Sequence, residues 1–94
     1  MLAIQPVADL DEAIRRANAT RYGLQAGIFT ADLDAALRAG RELFFGGVTV
    51  NESPTYRADQ QPYGGTRDSG NTREGPAYAV REYLEETVVI IQTP

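Results

Sequence analysis

The sequence predicts an α/β protein: a three-layer-type βαβαβ parallel-sheet fragment, then a long loop, a helix and a C-terminal strand. Three observations predict it. Short apolar runs alternate with longer stretches whose apolar residues recur at helical spacing. Acidic or hydroxyl residues stand before those stretches and glycines after them, as helix starts and stops require. After Asn51 the texture changes to a Pro- and Gly-rich segment, 52–75, which closes the alternating part.

In order, "LAIQPV" (2–7) is a short apolar run ended by Pro6 and an acidic cluster, and reads as a strand. "DLDEAIRRANA" (9–19) reads as a helix, with Leu10, Ala13, Ile14 and Ala17 forming one apolar stripe. Asp9 and Glu12 are spaced as a capping box, and Arg15 and Arg16 lie towards the negative end of the helix dipole. "LQAGIF" (24–29) is a second strand. Thr30 is placed to cap a second helix over 31–44, with Asp32 and Asp34 in its first turn and Leu33, Ala36, Leu37 and Gly40 as its buried stripe. Gly46 and Gly47 end it, and "GVTVN" (47–51), rich in β-branched residues, is a third strand. The spacings suit two right-handed βαβ units. Residues 76–85 form a helix opened by Pro76, and "TVVIIQ" (87–92) is a strongly apolar last strand. Three central strands leave open sheet edges, so that last strand must pair with an edge in this chain or in another.

Composition excludes several functions. The chain has 94 residues, the size of one domain, with 43% hydrophobic residues and a formal net charge of −4. No basic excess invites nucleic acid, and no run is long enough to span a membrane. The start carries no basic, apolar leader pattern, and the lack of cysteine fits a cytoplasmic setting. All nine cationic side chains are arginine, and cysteine and histidine are absent. Thiol catalysis, a serine triad and a Ser-Lys dyad therefore cannot be assembled from this chain alone. No catalytic, cofactor-binding or metal-ligating set emerges: there is no G-x-G-x-x-G fingerprint, and Glu85 and Glu86 are neighbours in sequence rather than ligands on one helical face.

The loop "PYGGTRDSGNTREG" (62–75) is the one elaborate motif. Gly64, Gly65, Gly70 and Gly75 read as suppliers of positive φ or as close contacts to a ligand. Arg57 with Asp59, and Arg67 with Asp68, read as solvated surface groups or as an arginine fork for a carboxylate or phosphate. Tyr56 and Tyr63 read as half-buried packing residues or as walls of an apolar pocket.

The run "GGVTVNESPTYRADQQPYGGTRDSGNTREG" resembles the C-terminal part of the aldehyde dehydrogenase superfamily, whose members carry G-x-v-x-V-N, an irregular loop and P-F-G-G-x-K-x-S-G-x-G-R-E-G. Upstream, "ANATRYGLQAGIFT" is similar to the family's A-N-x-T-x-Y-G-L-x-A-G-v-F-T, and "VREYLEETVVII" resembles its closing helix and strand. The chain departs from the pattern at Arg67 for Lys, Tyr63 for Phe, and Asn71-Thr72 for a pair that contains glycine.

The resemblance implies a catalytic-domain end over 1–84 and an oligomerisation strand over 85–94. It implies the oxidation of an aldehyde to a carboxylic acid with NAD or NADP, with the nucleophilic Cys, the general base and the cofactor domain all outside this chain, which is then inactive alone and not expected to bind the cofactor by itself. The family's E-x-F-G-P segment would fall just before Met1. Tyr56, Arg57 and Tyr63 become substrate-entrance residues, with Arg57 in "RADQQPYG" gripping the tail of a small anionic or polar aldehyde. Val88, Val89, Ile90 and Ile91 become the contact of a homo-oligomer, dimer or higher. The alternative is a stand-alone, self-associating interaction module without catalysis.

Overall fold

A computed structural model describes residues 1–94. The fold is mixed α/β, with the element order α1 (Leu10–Asn18), β1 (Tyr22–Gly23), β2 (Gln25–Ile28), α2 (Leu33–Glu42), β3 (Gly47–Val50), β4 (Thr66–Arg67) and α3 (Pro76–Ala79), the last continued by a 3₁₀ turn over Val80–Tyr83.

Helix α1 begins where the sequence predicts. The Asp9 side chain accepts from the Glu12 amide at 2.8 Å, and the Glu12 carboxylate reaches back to the Ala8 amide at 2.9 Å, one residue before the cap. Helix α2 differs at its start. Asp32, not Thr30, is the cap, accepting from the amides of Asp34 and Ala35. Thr30 sits two residues back, and its hydroxyl accepts from the Asp32 amide at 3.0 Å.

Strands β2 and β3 pair in parallel, with Gln25 opposite Gly47 and Ile28 opposite Val50. One of the two expected βαβ units is therefore built, as β2-α2-β3. The first is not, because residues 2–7 have no ladder partner and lie exposed. A strand is defined by its neighbour, and this chain offers none to that run. Residues 87–92 are likewise unpaired. The expected helix over 76–85 is one α-turn followed by 3₁₀ geometry, with Leu84 already extended.

Both long helices pack beside the parallel pair. Leu10, Ala13, Ile14 and Ala17 from α1 meet Ile28 of β2, Ala39 of α2 and Leu43 just after it around an apolar cleft of about 100 Å³. The buried apolar side chains are Ile14, 7% exposed, and Ala39, fully buried. The α1 stripe thus faces inward as expected. The α2 stripe does not: Leu33, Leu37 and Gly40 face solvent, and the Ala39 side is buried instead.

The radius of gyration is 18.4 Å along a 71 Å long axis. A compact domain of this length would have a radius near roughly 12 Å. The excess comes from the unpaired ends, where apolar residues from Met1 to Val7 and from Val88 to Ile91 stand exposed.

Candidate functional site

The segment after Asn51 is held to the α/β unit at several points. Asn51, at φ 56°, leaves β3 in the left-handed region, and its side-chain amide mimics a strand residue. Its oxygen accepts from the Thr30 amide at 2.8 Å and its nitrogen donates to the Thr30 carbonyl at 2.9 Å. Gln25 Nε2 then donates to the Tyr56 carbonyl at 3.0 Å. Further on, β4 pairs antiparallel with β1, Tyr22 opposite Arg67 and Gly23 opposite Thr66.

Arg67, also at positive φ, is exposed but committed to contacts within the chain. Its guanidinium donates to the carbonyls of Asn18, Thr20 and Phe44 and lies 5.8 Å over the Phe45 ring. It gathers the C-terminal ends of α1 and α2 onto β4. It stays an exposed surface residue, as one of the two sequence readings had it, but its donors are turned to backbone carbonyls rather than left free as a ligand fork. Its neighbour Asp68 pairs instead with Arg21 at 3.1 Å.

The loop glycines divide into two kinds. Gly70 and Gly75 take positive φ, 100° and 106°. Gly64 and Gly65 do not; they are glycine because a Cβ would strike the Thr72 carbonyl at the first and Ser69 at the second.

Of the expected entrance residues, the structure brings two together. The Arg57 guanidinium carbon lies 5.2 Å from the Tyr63 ring centroid. Its Nη2 sits 2.6 Å from Glu74 Oε2, so the partner is Glu74 and not Asp59. Tyr63 and Glu74 form an antiparallel bridge, Tyr63 N–H to Glu74 O at 3.2 Å and Glu74 N–H to Tyr63 O at 2.6 Å. Gly75 then turns the chain into α3. Tyr56 stands apart, its ring exposed and its backbone amide bonded to Ser53 O at 2.9 Å. Glu74 is the residue that sequence reasoning missed. Its only local signal is the "REG" ending of the loop, because its contact with Arg57 spans seventeen positions and needs the bridge to be seen.

The constellation is a half-exposed cation seated on an aromatic face beside a carboxylate. A guanidinium so placed offers N–H donors suited to an anion. No three His, Cys, Asp or Glu side chains are grouped to hold a metal. At the start of α1 the Glu12 amide, and at the start of α2 the amides of Asp34 and Ala35, are taken by the Asp9 and Asp32 carboxylates, which disfavour an anion there.

A family model described as the aldehyde dehydrogenase family matches residues 1–89. A 3-sulfolactaldehyde dehydrogenase from Priestia aryabhattai is 47% identical over 90 residues, which is 96% of this chain and 19% of that protein. A lactaldehyde dehydrogenase from Methanococcus maripaludis is 44% identical over 91 residues, 97% of this chain and 20% of that protein. Among solved structures, aldehyde dehydrogenase 21 from Physcomitrella patens, in complex with the reaction product succinate, superposes with a TM-score of 0.81 at 51% identity, over 84% of this chain and 16% of that one. Glyceraldehyde-3-phosphate dehydrogenase GapN from Methanocaldococcus jannaschii, complexed with NADP, gives a TM-score of 0.75 at 46% identity, over 77% of this chain and 16% of that one. The chain spans about a fifth of the length of the curated relatives it matches.

Proposed function

The chain belongs to the aldehyde dehydrogenase family, and on that premise we propose that it serves as the C-terminal portion of an NAD(P)-dependent enzyme oxidising an aldehyde to a carboxylic acid. Residues 1–84 supply the end of the catalytic domain and 85–94 an oligomerisation strand, with Val88, Val89, Ile90 and Ile91 as the contact between subunits. The observation that carries the reading is the family match across residues 1–89 of a chain with no cysteine, histidine or lysine. Such a chain contributes binding and assembly, and leaves the nucleophile, the general base and the cofactor to the rest of the polypeptide. No helix is long and apolar enough to cross a membrane, and a cytoplasmic enzyme is the proposed setting.

The substrate proposed is a small aldehyde with an anionic or polar tail. Arg57 holds the tail, and Tyr63 and Tyr56 wall the entrance. Support comes from the half-exposed Arg57 guanidinium stacked on Tyr63, and from relatives whose names specify sulfolactaldehyde and lactaldehyde. An activity assay tests the reading. The 94-residue chain is expected to leave NAD(P) unreduced with any aldehyde, whereas the complete polypeptide carrying it reduces the cofactor. Turnover by the 94-residue chain alone, or none by the complete polypeptide, overturns it.

A further inference from the structure

Arg57 is not an unoccupied cation. Glu74 Oε2 holds its Nη2 at 2.6 Å, while Nε and Nη1 have no partner in the chain. The placement of Glu74 is not an accident of a long side chain. Tyr63 and Glu74 are directly opposite in an antiparallel bridge, with both backbone bonds made. Residues so paired project from the same side of the ladder. The Tyr63 ring and the Glu74 carboxylate therefore arrive as one unit, and Arg57 lies across both. The pair is open to solvent, with the Arg57 and Glu74 side chains 50% and 58% exposed.

Resting on the reading of Arg57 as the anion seat, we propose that Glu74 is a resident counter-ion that the substrate's anionic tail displaces. Tyr63 keeps the guanidinium plane in position throughout, and Glu74 holds Nη2 until a better acceptor enters. A tail that presents two or three oxygens to the guanidinium fork exceeds the single contact Glu74 makes. Two anions on one guanidinium repel each other, so arrival of the tail favours departure of Glu74. An uncharged aldehyde cannot drive it. Glu74 then sets how strongly the entrance prefers anionic over neutral substrates, and it lowers the affinity for every anion by the strength of its own contact.

The test compares succinic semialdehyde with its uncharged analogue butanal in the complete enzyme, read as the ratio of their kcat/KM values. Arg57→Gln collapses that ratio. Glu74→Gln raises it about two- to five-fold, the size an exposed ion pair allows, with the change in KM for succinic semialdehyde. A merely structural Glu74 would shift both substrates alike and leave the ratio unmoved, and that result overturns the exchange. If Arg57→Gln also leaves the ratio unmoved, the anion seat itself is wrong; if only Glu74→Gln does, the seat stands and the exchange falls. Crystals of the unsubstituted enzyme with and without succinate give a second readout that needs no variant. The exchange requires the Glu74 carboxylate beyond about 4 Å from the guanidinium when succinate is bound. Glu74 still in contact with Arg57 beside bound succinate overturns it.

Discussion

Single side chains in this protein do the work of missing backbone. Asn51 extends the parallel pair by two hydrogen bonds to Thr30 after β3 has ended, and it does so from a backbone conformation that few residues tolerate. Replacement by Ala removes both bonds and adds strain, and is expected to cost about 2 kcal/mol. Replacement by Gly removes the bonds but relieves the strain, and is expected to cost less. Urea midpoints of the assembled protein carrying each variant check this, and equal losses would show that the conformation carries no penalty. Asn51 ends a legible strand, and its type signals a turn. Arg67 was less legible. Its arginine identity invites a ligand, and only the convergence of three carbonyls from separate elements shows that it is a clamp.

Among the elements, α1 and α2 are tied by charge as well as by Ile14 and Ala39. Arg38 bridges Asp11 of α1 at 2.5 Å and Glu42 of its own helix at 2.8 Å. The bond from Arg38 holds the Glu42 carboxyl below its ordinary range, and bonds to Glu42 and Asp11 raise the Arg38 guanidinium further above physiological pH. A carboxyl depressed in the folded state stabilises it at all pH values above its unfolded value. That contribution is lost as the pH falls through the lower folded value. Amide exchange in the last turn of α2 is therefore expected to quicken as pH is lowered from about 5 to about 3, relative to intrinsic rates. Glu42→Gln is expected to remove that dependence, and its persistence in the variant would assign it elsewhere. Added salt weakens the same tie, since these groups are solvent-exposed. That both helices exist was readable from their spacing, and the cap of α1 from its Asp9–Glu12 box, whereas the cap of α2 proved to be Asp32 rather than Thr30. Which face of α2 turns inward was not readable either, because Leu33 and Leu37 look buried by pattern and are exposed in this chain. A surface of that kind is one that expects a neighbour.

The whole chain has the same character. With only Ile14 and Ala39 buried among its apolar side chains, it has little to set against the backbone entropy of ordering 94 residues, about 1 kcal/mol or more for each. The four residues Val88, Val89, Ile90 and Ile91 are 75–86% exposed. Light scattering across a concentration series is therefore expected to find the isolated chain as a dimer or higher species rather than a 10.2 kDa monomer. Ile90→Asp is expected to lower that mass, because a buried unpaired carboxylate is costly in a strand contact. A cooperative, well-packed monomer would show instead that the last strand finds a home within its own chain.

The sequence by itself determined the local structure: two capped amphipathic helices, the strand on each side of the second, and the loop with its turn residues. Those follow from periodicity, capping and backbone preference, which act over a few residues. It also carried the family resemblance, through motifs in order along the chain. Tertiary structure alone decided the rest. Residues 2–7 and 87–92 are apolar enough to be strands, but a strand exists only when a second one lies beside it. Arg57 was visible as a cation, yet its partner was fixed by the Tyr63–Glu74 bridge, a pairing across ten intervening residues that no local preference encodes.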